Sequence, residues 1–426
     1  MDQQQIQNID EKRFFRLPFE KNTFRLSLNT LNAHSNFRKP ANFYQIETKI
    51  LSFKNELLTV SVKLPDEPKK LVYLKVTREE LLVSCNFDTD QTYLSRYAYY
   101  AILGKMVYSE TANFKEYYWP DFFDPNTGRS KFLKIFNDRR GFDINLKPKY
   151  PSFYKPGDTL LELQQDQEVP KAGKPLNSLP EELPISDKVM GFALADTNLS
   201  SIHSNHYPFL VPFHGILTKD RKKIKYYSSF HLNEHDSSEL ILSENQKQLT
   251  NICFKMRELA PVRNLGWQDK FVPNKEELEN GKKLFLLWHH AFELIQSQKH
   301  LYFACTMGLK NLKRKPSRSW MNPCEFKKER PQLVIKRIDK GDYFQIELAF
   351  KINGKLKTLY YPDLAFFVRP KSNWLHKYLL GSFNDYLLTS FFRKTCNKLA
   401  VLKPHYAGDF ESFMNKLEEK YEIIDF

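Results

Sequence analysis

Seven prolines fall between residues 148 and 184, at positions 148, 151, 156, 170, 175, 180 and 184. Each removes a backbone donor and fixes φ, so a run at this density supports neither a helix nor the interior of a sheet. The residues between them, such as LQQDQEVPKAGKPLNSLPEELP, are polar and acidic. Residues 148–187 are therefore expected to form an extended linker. That linker divides the 426-residue chain into an N-terminal domain, 1–147, and a C-terminal domain, 188–426. Both are long enough to build a core of their own.

The periodicities on either side predict an α+β class in both halves, with antiparallel sheets and flanking helices. ELLTVSVKL (56–64), KLVYLKV (70–76) and EELLVSC (79–85) read as strands. A helix is expected over 91–106, with Leu94, Ala98, Ala101 and Ile102 on one face. Past the linker, VMGFALA, FLVPFHGIL and IKYYSSFHL read as further strands. Ser243 with Gln246, and Asn274 with Glu277, are spaced as capping boxes that open two helices. Their apolar stripes include Leu249, Cys253 and Met256 in the first helix, and Leu284, Trp288 and Ala291 in the second. Phe344, Ile346, Leu348, Phe350 and Ile352 alternate with other residues and run into Asn353-Gly354, a type I′ hairpin signal. With QLVIKRI before and KLKTLYY after, this predicts a three-stranded meander. Closing helices are expected over 373–394 and 410–421, the second capped by Asp409.

Composition narrows the function classes. Phe and Tyr number 35 and 22 against 14 Gly, which argues for filled cores rather than disorder. The first residues, MDQQQIQNIDEKRFFRL, lack the cationic and apolar pattern of a secretory signal. Apolar runs such as LFLLW are too short to span a bilayer, so no membrane span is expected. Five scattered cysteines, at 85, 253, 305, 324 and 396, suit thiols in a reducing cytoplasm.

Charge points to a partner. The formal net charge is +15, and residues 310–337 hold ten Lys or Arg against two Glu, a local +8. A field of that density favours a polyanion. Lys313, Arg314, Lys315 and Arg318 surround Pro316, with Trp320 beside them, and Lys327, Lys328 and Arg330 extend the track. Cationic side chains neutralise phosphates with counterion release, and an exposed Trp can stack on a base. Arg221, Lys222 and Lys223 form a second patch at an expected hairpin tip.

No reaction accompanies this charge. Gly104-Lys105, Gly281-Lys282 and Gly354-Lys355 lack the loop and the following hydroxyl of a phosphate cradle. His203, His206, His214, His231 and His235 cluster without a cysteine partner and read as loop residues. Asp124-Pro-Asn126-Thr-Gly128 lacks the register of a calcium loop and reads as a turn. There is no Gly-x-Ser-x-Gly elbow, Cys253 and Cys305 lie in apolar contexts, and one of His289-His290 is expected to pack while the other is exposed. Neither a catalytic residue nor a cofactor or metal site is expected.

The segment LLVSCNFDTDQTYLSRYAYYAIL (81–103) resembles the SWIM zinc module, in which a strand bearing Cys-x-Cys leads into Cys-x-His at a helix start. Cys85, Phe87, Ser95 and Tyr97 stand at the four ligand positions, and only Cys85 is of a ligand type. Four-coordinate closure is thus lost, and the frame without its metal is what the resemblance implies. From LYFACTMG through CEFKKERPQLVIKR to the meander, the chain is similar to the accessory, pre-motor region of bacterial Swi/Snf-type helicases. The motor itself is absent. This resemblance implies a non-enzymatic nucleic-acid-binding accessory protein, with DNA favoured over RNA and a separate helicase motor as partner. The alternative is an interaction scaffold that recognises an acidic protein surface.

Overall fold

The computed structural model describes all residues except 1–13, 22, 38–45, 86–92, 107–108, 139–140, 166–186, 196–205, 234–235, 237–239, 263–273, 305–311, 360–364, 371–372 and 374. Phe87, His203, His235, Cys305, Lys310 and most of the proline-rich segment lie outside the described residues. The architecture is α+β. The chain divides into two compact units, one of Met1–Leu160, Lys340–Phe344 and Leu399–Ser412, the other of Leu161–Asp339, Gln345–Lys398 and Phe413–Phe426. Among the described residues no helix is long and apolar enough to cross a membrane.

In the first unit the strands are Phe15–Pro18 (β1), Arg25–Ser27 (β2), Glu47–Lys54 (β3), Leu57–Lys63 (β4), Lys70–Val76 (β5) and Glu80–Cys85 (β6). Thr111–Asn113 (β7), Leu133–Asp138 (β8), Gly141–Leu146 (β9) and Ser152–Tyr154 (β10) follow, with helices Leu28–Ala33 (α1) and Arg96–Leu103 (α2) among them. An antiparallel sheet of order β1–β6–β5–β4–β3 forms the centre. Alternation turns Val72, Leu74 and Val76 of β5 inward, where they are buried. The α2 face expected from spacing is buried at Leu94, Ala98, Ala101 and Ile102, although the helix itself is shorter than 91–106. Ser152–Tyr154 pairs in parallel with Leu399–Val401 despite the neighbouring prolines. The three paired residues sit between Pro151 and Pro156 and keep their own N–H groups, so a short strand survives there.

The second unit is built on Lys188–Ala195 (β11), Leu210–Leu217 (β12) and Ile224–Phe230 (β13), then helices Glu244–Leu259 (α3) and Lys275–Gln296 (α4), then Leu301–Ala304 (β14) and Met321–Pro323 (β15). These five strands make one sheet of order β13–β12–β11–β14–β15. Both helices open with the expected capping boxes, Ser243 with Gln246 and Asn274 with Glu277. The sheet is not purely antiparallel as patterning suggested, since β14 lies parallel to β11 with Phe192 opposite Leu301. A parallel neighbour requires a long crossover, which α3 and α4 supply. Phe192, Leu194, Leu210 and Phe213 are fully buried, each contributing about 1.5–3 kcal/mol. Trp288 of α4 is likewise buried and donates its indole N–H to the Pro208 carbonyl at 2.7 Å.

Glu325–Lys327 (β16), Gln332–Asp339 (β17), Tyr343–Ile352 (β18), Lys355–Thr358 (β19), Phe367–Val368 (β20) and His376–Leu379 (β21) come next. Then follow Phe383–Arg393 (α5), Lys398–Leu402 (β22), Lys403–Tyr406 (α6), Asp409–Glu418 (α7) and Glu422–Asp425 (β23). β17, β18 and β19 form the expected meander, and Asn353 and Gly354 both take positive φ, 49° and 73°. β23 adds to β17 in parallel. The helix expected over 373–394 is corrected to α5 alone. Its N-terminus is fixed by a capping box at Ser382, while HKYL before it pairs as β21 with β16 and β20. Asp409 stands in the first turn of α7 rather than at its cap, where its charge still suits the helix N-terminus.

Gly191 of β11 leaves no room for a side chain: a Cβ there would lie 2.5 Å from Phe213 Cζ and 3.0 Å from the His300 carbonyl. Gly191→Ala is expected to lower stability by about 1–3 kcal/mol through overpacking of this sheet, read as a lower urea midpoint at unchanged m-value. An unchanged midpoint would mean that the sheet relaxes around the methyl group.

Candidate nucleic-acid interface

The basic loop lies between β14 and β15, and it is described from Leu312 onward. In its described part Leu312 and Pro316 are buried, and the cations between and after them are turned outward. Lys313, Arg314, Lys315 and Arg318 are exposed, as is Lys328 further on. A turn closes the loop, with the Trp320 N–H on the Ser317 carbonyl at 2.9 Å and the Ser317 and Ser319 hydroxyls 2.8 Å apart. Trp320 is left half-buried. Among the described residues no carboxylate pairs with Lys313, Arg314, Lys315, Arg318 or Lys328. Five charges without counterions inside the protein are a concentrated demand for an external anion.

The other two residues of the expected track serve the scaffold. Lys327 forms an ion pair with Glu325 at 2.5 Å, and this bond pushes its pKa up; His376 approaches the same carboxylate at 3.4 Å. Arg330 is itself exposed, but its guanidinium lies 4.6 Å over the Phe292 ring of α4, and partial desolvation there lowers its pKa. No motif in the sequence separates these two from the other five cations, because the distinction depends on the partners that the fold brings to them.

Arg221, Lys222 and Lys223 occupy the expected hairpin tip between β12 and β13, closed by the Thr218 N–H on the Lys223 carbonyl at 2.8 Å. All three are exposed, but Arg221 reaches Asp187 at 3.3 Å and holds a positive φ of 57°. The sheet does not bring this tip to the loop. Lys188, the first residue of β11, pairs with Ile216 beside the tip, whereas Ala195 at its far end pairs with Ala304, itself opposite Met321. Seven residue steps of strand, roughly 23 Å, separate the two ends.

The residues of the SWIM-like frame are packed. Cys85 is buried in β6, Ser95 stands at the N-cap of α2, and Tyr97 is fully buried. The Tyr97 hydroxyl donates to Glu67, whose carboxylate also takes two bonds from Arg96 at 2.8 and 3.1 Å. Burial, then Glu67, pushes the Tyr97 pKa up to about 12. Among the described residues no three His, Cys, Asp or Glu are placed to hold a metal ion. Asp124 accepts the Asn126 and Thr127 amide protons at 2.8 and 2.9 Å, which makes its segment a turn. Cys253 is buried, and desolvation pushes its thiol up and leaves it unreactive. His289 is buried and His290 exposed.

His206 is buried, with Nδ1 2.9 Å from the Tyr207 carbonyl oxygen. Two other histidines meet in a way their spacing does not announce: His214 Nδ1 is 2.8 Å from His231 Nε2, so one ring donates and the other accepts. The Ser229 hydroxyl approaches the same His214 nitrogen at 3.3 Å. In the first unit a cleft of about 640 Å³ is lined by Phe122, Phe132 and Leu402 with Asp121, Asp124 and Asp342 at its rim. Its carboxylates are engaged internally, Asp121 by buried His405 at 3.0 Å, Asp342 by Lys131 and Asp124 by its own turn. Comparison with protein-family models, curated proteins and solved structures finds no match to the chain.

Burial, then the neighbouring His214, holds the His231 imidazole down at about 4, and Asp236 opposes this only in part. Unfolding therefore takes up a proton between pH 4 and the ordinary value of 6.5. Stability from this group is full above pH 6.5 and is lost as the pH falls towards 4, by about 3 kcal/mol. His289, also lowered to about 4 by burial, adds to the same trend. Denaturant unfolding measured across this range should steepen towards acid, and His231→Gln should reduce the slope. An equal slope in the variant would show that His231 is already charged in the folded protein.

Proposed function

We propose that the chain is a non-enzymatic nucleic-acid-binding accessory protein that grips the phosphate backbone through the loop after β14. The observation that carries this reading is the set of five exposed cations, four of them (Lys313, Arg314, Lys315 and Arg318) on the loop that buries Leu312 and Pro316, and Lys328 just past β16. Guanidinium and ammonium groups so arranged release counterions from a polyphosphate and carry no base specificity of their own. Half-buried Trp320, next to them in the chain, offers a ring on which a base could stack. The resemblance of the surrounding sequence to the pre-motor region of bacterial Swi/Snf-type helicases favours DNA over RNA and a separate motor as the working partner, in the cytoplasm. On this reading Cys85, Ser95 and Tyr97 keep the frame of a zinc module through packing and hydrogen bonding.

Binding to a DNA duplex should weaken with salt, with a log–log slope of about −4 to −5 for five neutralised phosphates. Reversing Lys313, Arg314, Lys315 and Arg318 to Glu should weaken it on every sequence and reduce the slope by about four contacts. Fluorescence anisotropy across a salt titration reads both. Affinity that ignores salt, or a quadruple variant that binds like the parent, would end this account. Capture of an acidic protein that survives nuclease treatment, with no shift of DNA, would favour the scaffold reading instead.

A further inference from the structure

The β12–β13 ribbon carries an aromatic side chain where an edge strand of a soluble protein ordinarily carries charge. Tyr226 is 54% exposed, and its cross-strand partner Ile216 is 38% exposed. Lys188 pairs with Ile216 on the next strand, so the three form one row across a single face. Lys225 Nζ lies 5.0 Å from the centroid of the Tyr226 ring. Around this row and the tip stand Lys188, Lys219, Arg221, Lys222, Lys223 and Lys225 against Asp187 and Asp220. Both carboxylates are already engaged, Asp187 by Arg221 and Asp220 by the Thr218 hydroxyl and the Lys222 amide.

The ribbon is fixed in this pose. Register shifts fall between His214 and Gly215 and again between Ile216 and Leu217. Such irregularities bend a strand and re-aim its side chains. A Cβ at Gly215 would stand 2.6 Å from both Ile224 Cγ2 and the Tyr226 carbonyl oxygen, so only glycine lets β13 approach this closely. Tyr227 then turns inward, its ring 5.6 Å from those of Phe213 and Tyr302, and Tyr226 turns out on the opposite face. The Tyr226 row stands at the Lys188 end of β11, whereas the loop is rooted beside its Ala195 end.

We infer that the β12–β13 ribbon is a stacking platform for the unpaired bases of a single-stranded nucleic acid, with Tyr226 as the ring and the tip lysines on the flanking phosphates. An aromatic face accepts any base, and the cations on both sides keep the backbone in register with it. This inference rests on the polyanion reading of the loop and adds a second, base-dependent contact to it. A duplex hides its base faces and is held by the loop alone.

The test uses the full chain and three DNA probes of about 20 nucleotides: a single strand, an abasic single strand with the same phosphates, and a duplex. Tyr226→Ala should weaken binding of the base-bearing strand by between about five- and a hundredfold. It should leave the abasic strand and the duplex within about twofold, and Tyr226→Phe should bind like the parent. If Tyr226→Ala leaves the base-bearing strand unchanged, or weakens the abasic strand equally, the platform is overturned. The loop reading survives that result provided that reversal of Lys313, Arg314, Lys315 and Arg318 still weakens all three probes. If the parent protein binds none of them, both readings fall together.

Discussion

The parallel pairing of Phe192–Ala195 with Leu301–Ala304 is the constraint on which the second unit depends. It joins segments more than a hundred residues apart and needs α3 and α4 as the crossover between them. It also sets β14 and then β15 beside the far end of β11, which gives the basic loop its two fixed ends. Without this pairing Lys313–Arg318 would be a charged stretch of coil; with it, they stand on a loop whose roots are hydrogen-bonded strands. The close packing of Gly191 beneath Phe213 shows how little slack the sheet retains.

Much of this fold was legible in the sequence where a signal is local. Capping boxes at Ser243 and Asn274, the Asn353-Gly354 turn and the alternation of β4, β5 and β18 each arise within a few residues of chain. Their physical causes, an orphan amide to satisfy or a positive φ to adopt, act at short range. Strand partners are a different matter. The parallel additions of β14, β10 and β23 leave no trace in period or composition, because strands of three or four residues are too short to carry a pattern that names a partner. Residues 376–379 show a related ambiguity: HKYL carries apolar residues suited to either a helix or a strand, and only Ser382 marks where α5 begins.

The candidate interface divides in the same way. Charge density alone singles out the segment, and its outward cations go with the burial of Leu312 and Pro316 beside them. What sequence cannot separate is an outward cation from one bound to the scaffold, as with Lys327 on Glu325 and Arg330 on Phe292. Tyr226 also escaped the sequence reading, since Tyr226-Tyr227 offers two identical rings. Alternation sends one inside and one out, but the register shifts around Gly215 decide which. The histidine pair is similar, because His214 and His231 meet only through the register of β12 and β13.

The central claim is that a polyanion docks on the loop between β14 and β15. Lysine acetylation footprinting with and without DNA tests it most directly, since it reports each side chain in the unaltered protein. The account predicts protection of Lys313, Lys315 and Lys328, with Lys355 and Lys357 of the equally exposed β19 hairpin modified as before. Uniform protection of all exposed lysines, or protection of β19 without the loop, would contradict it.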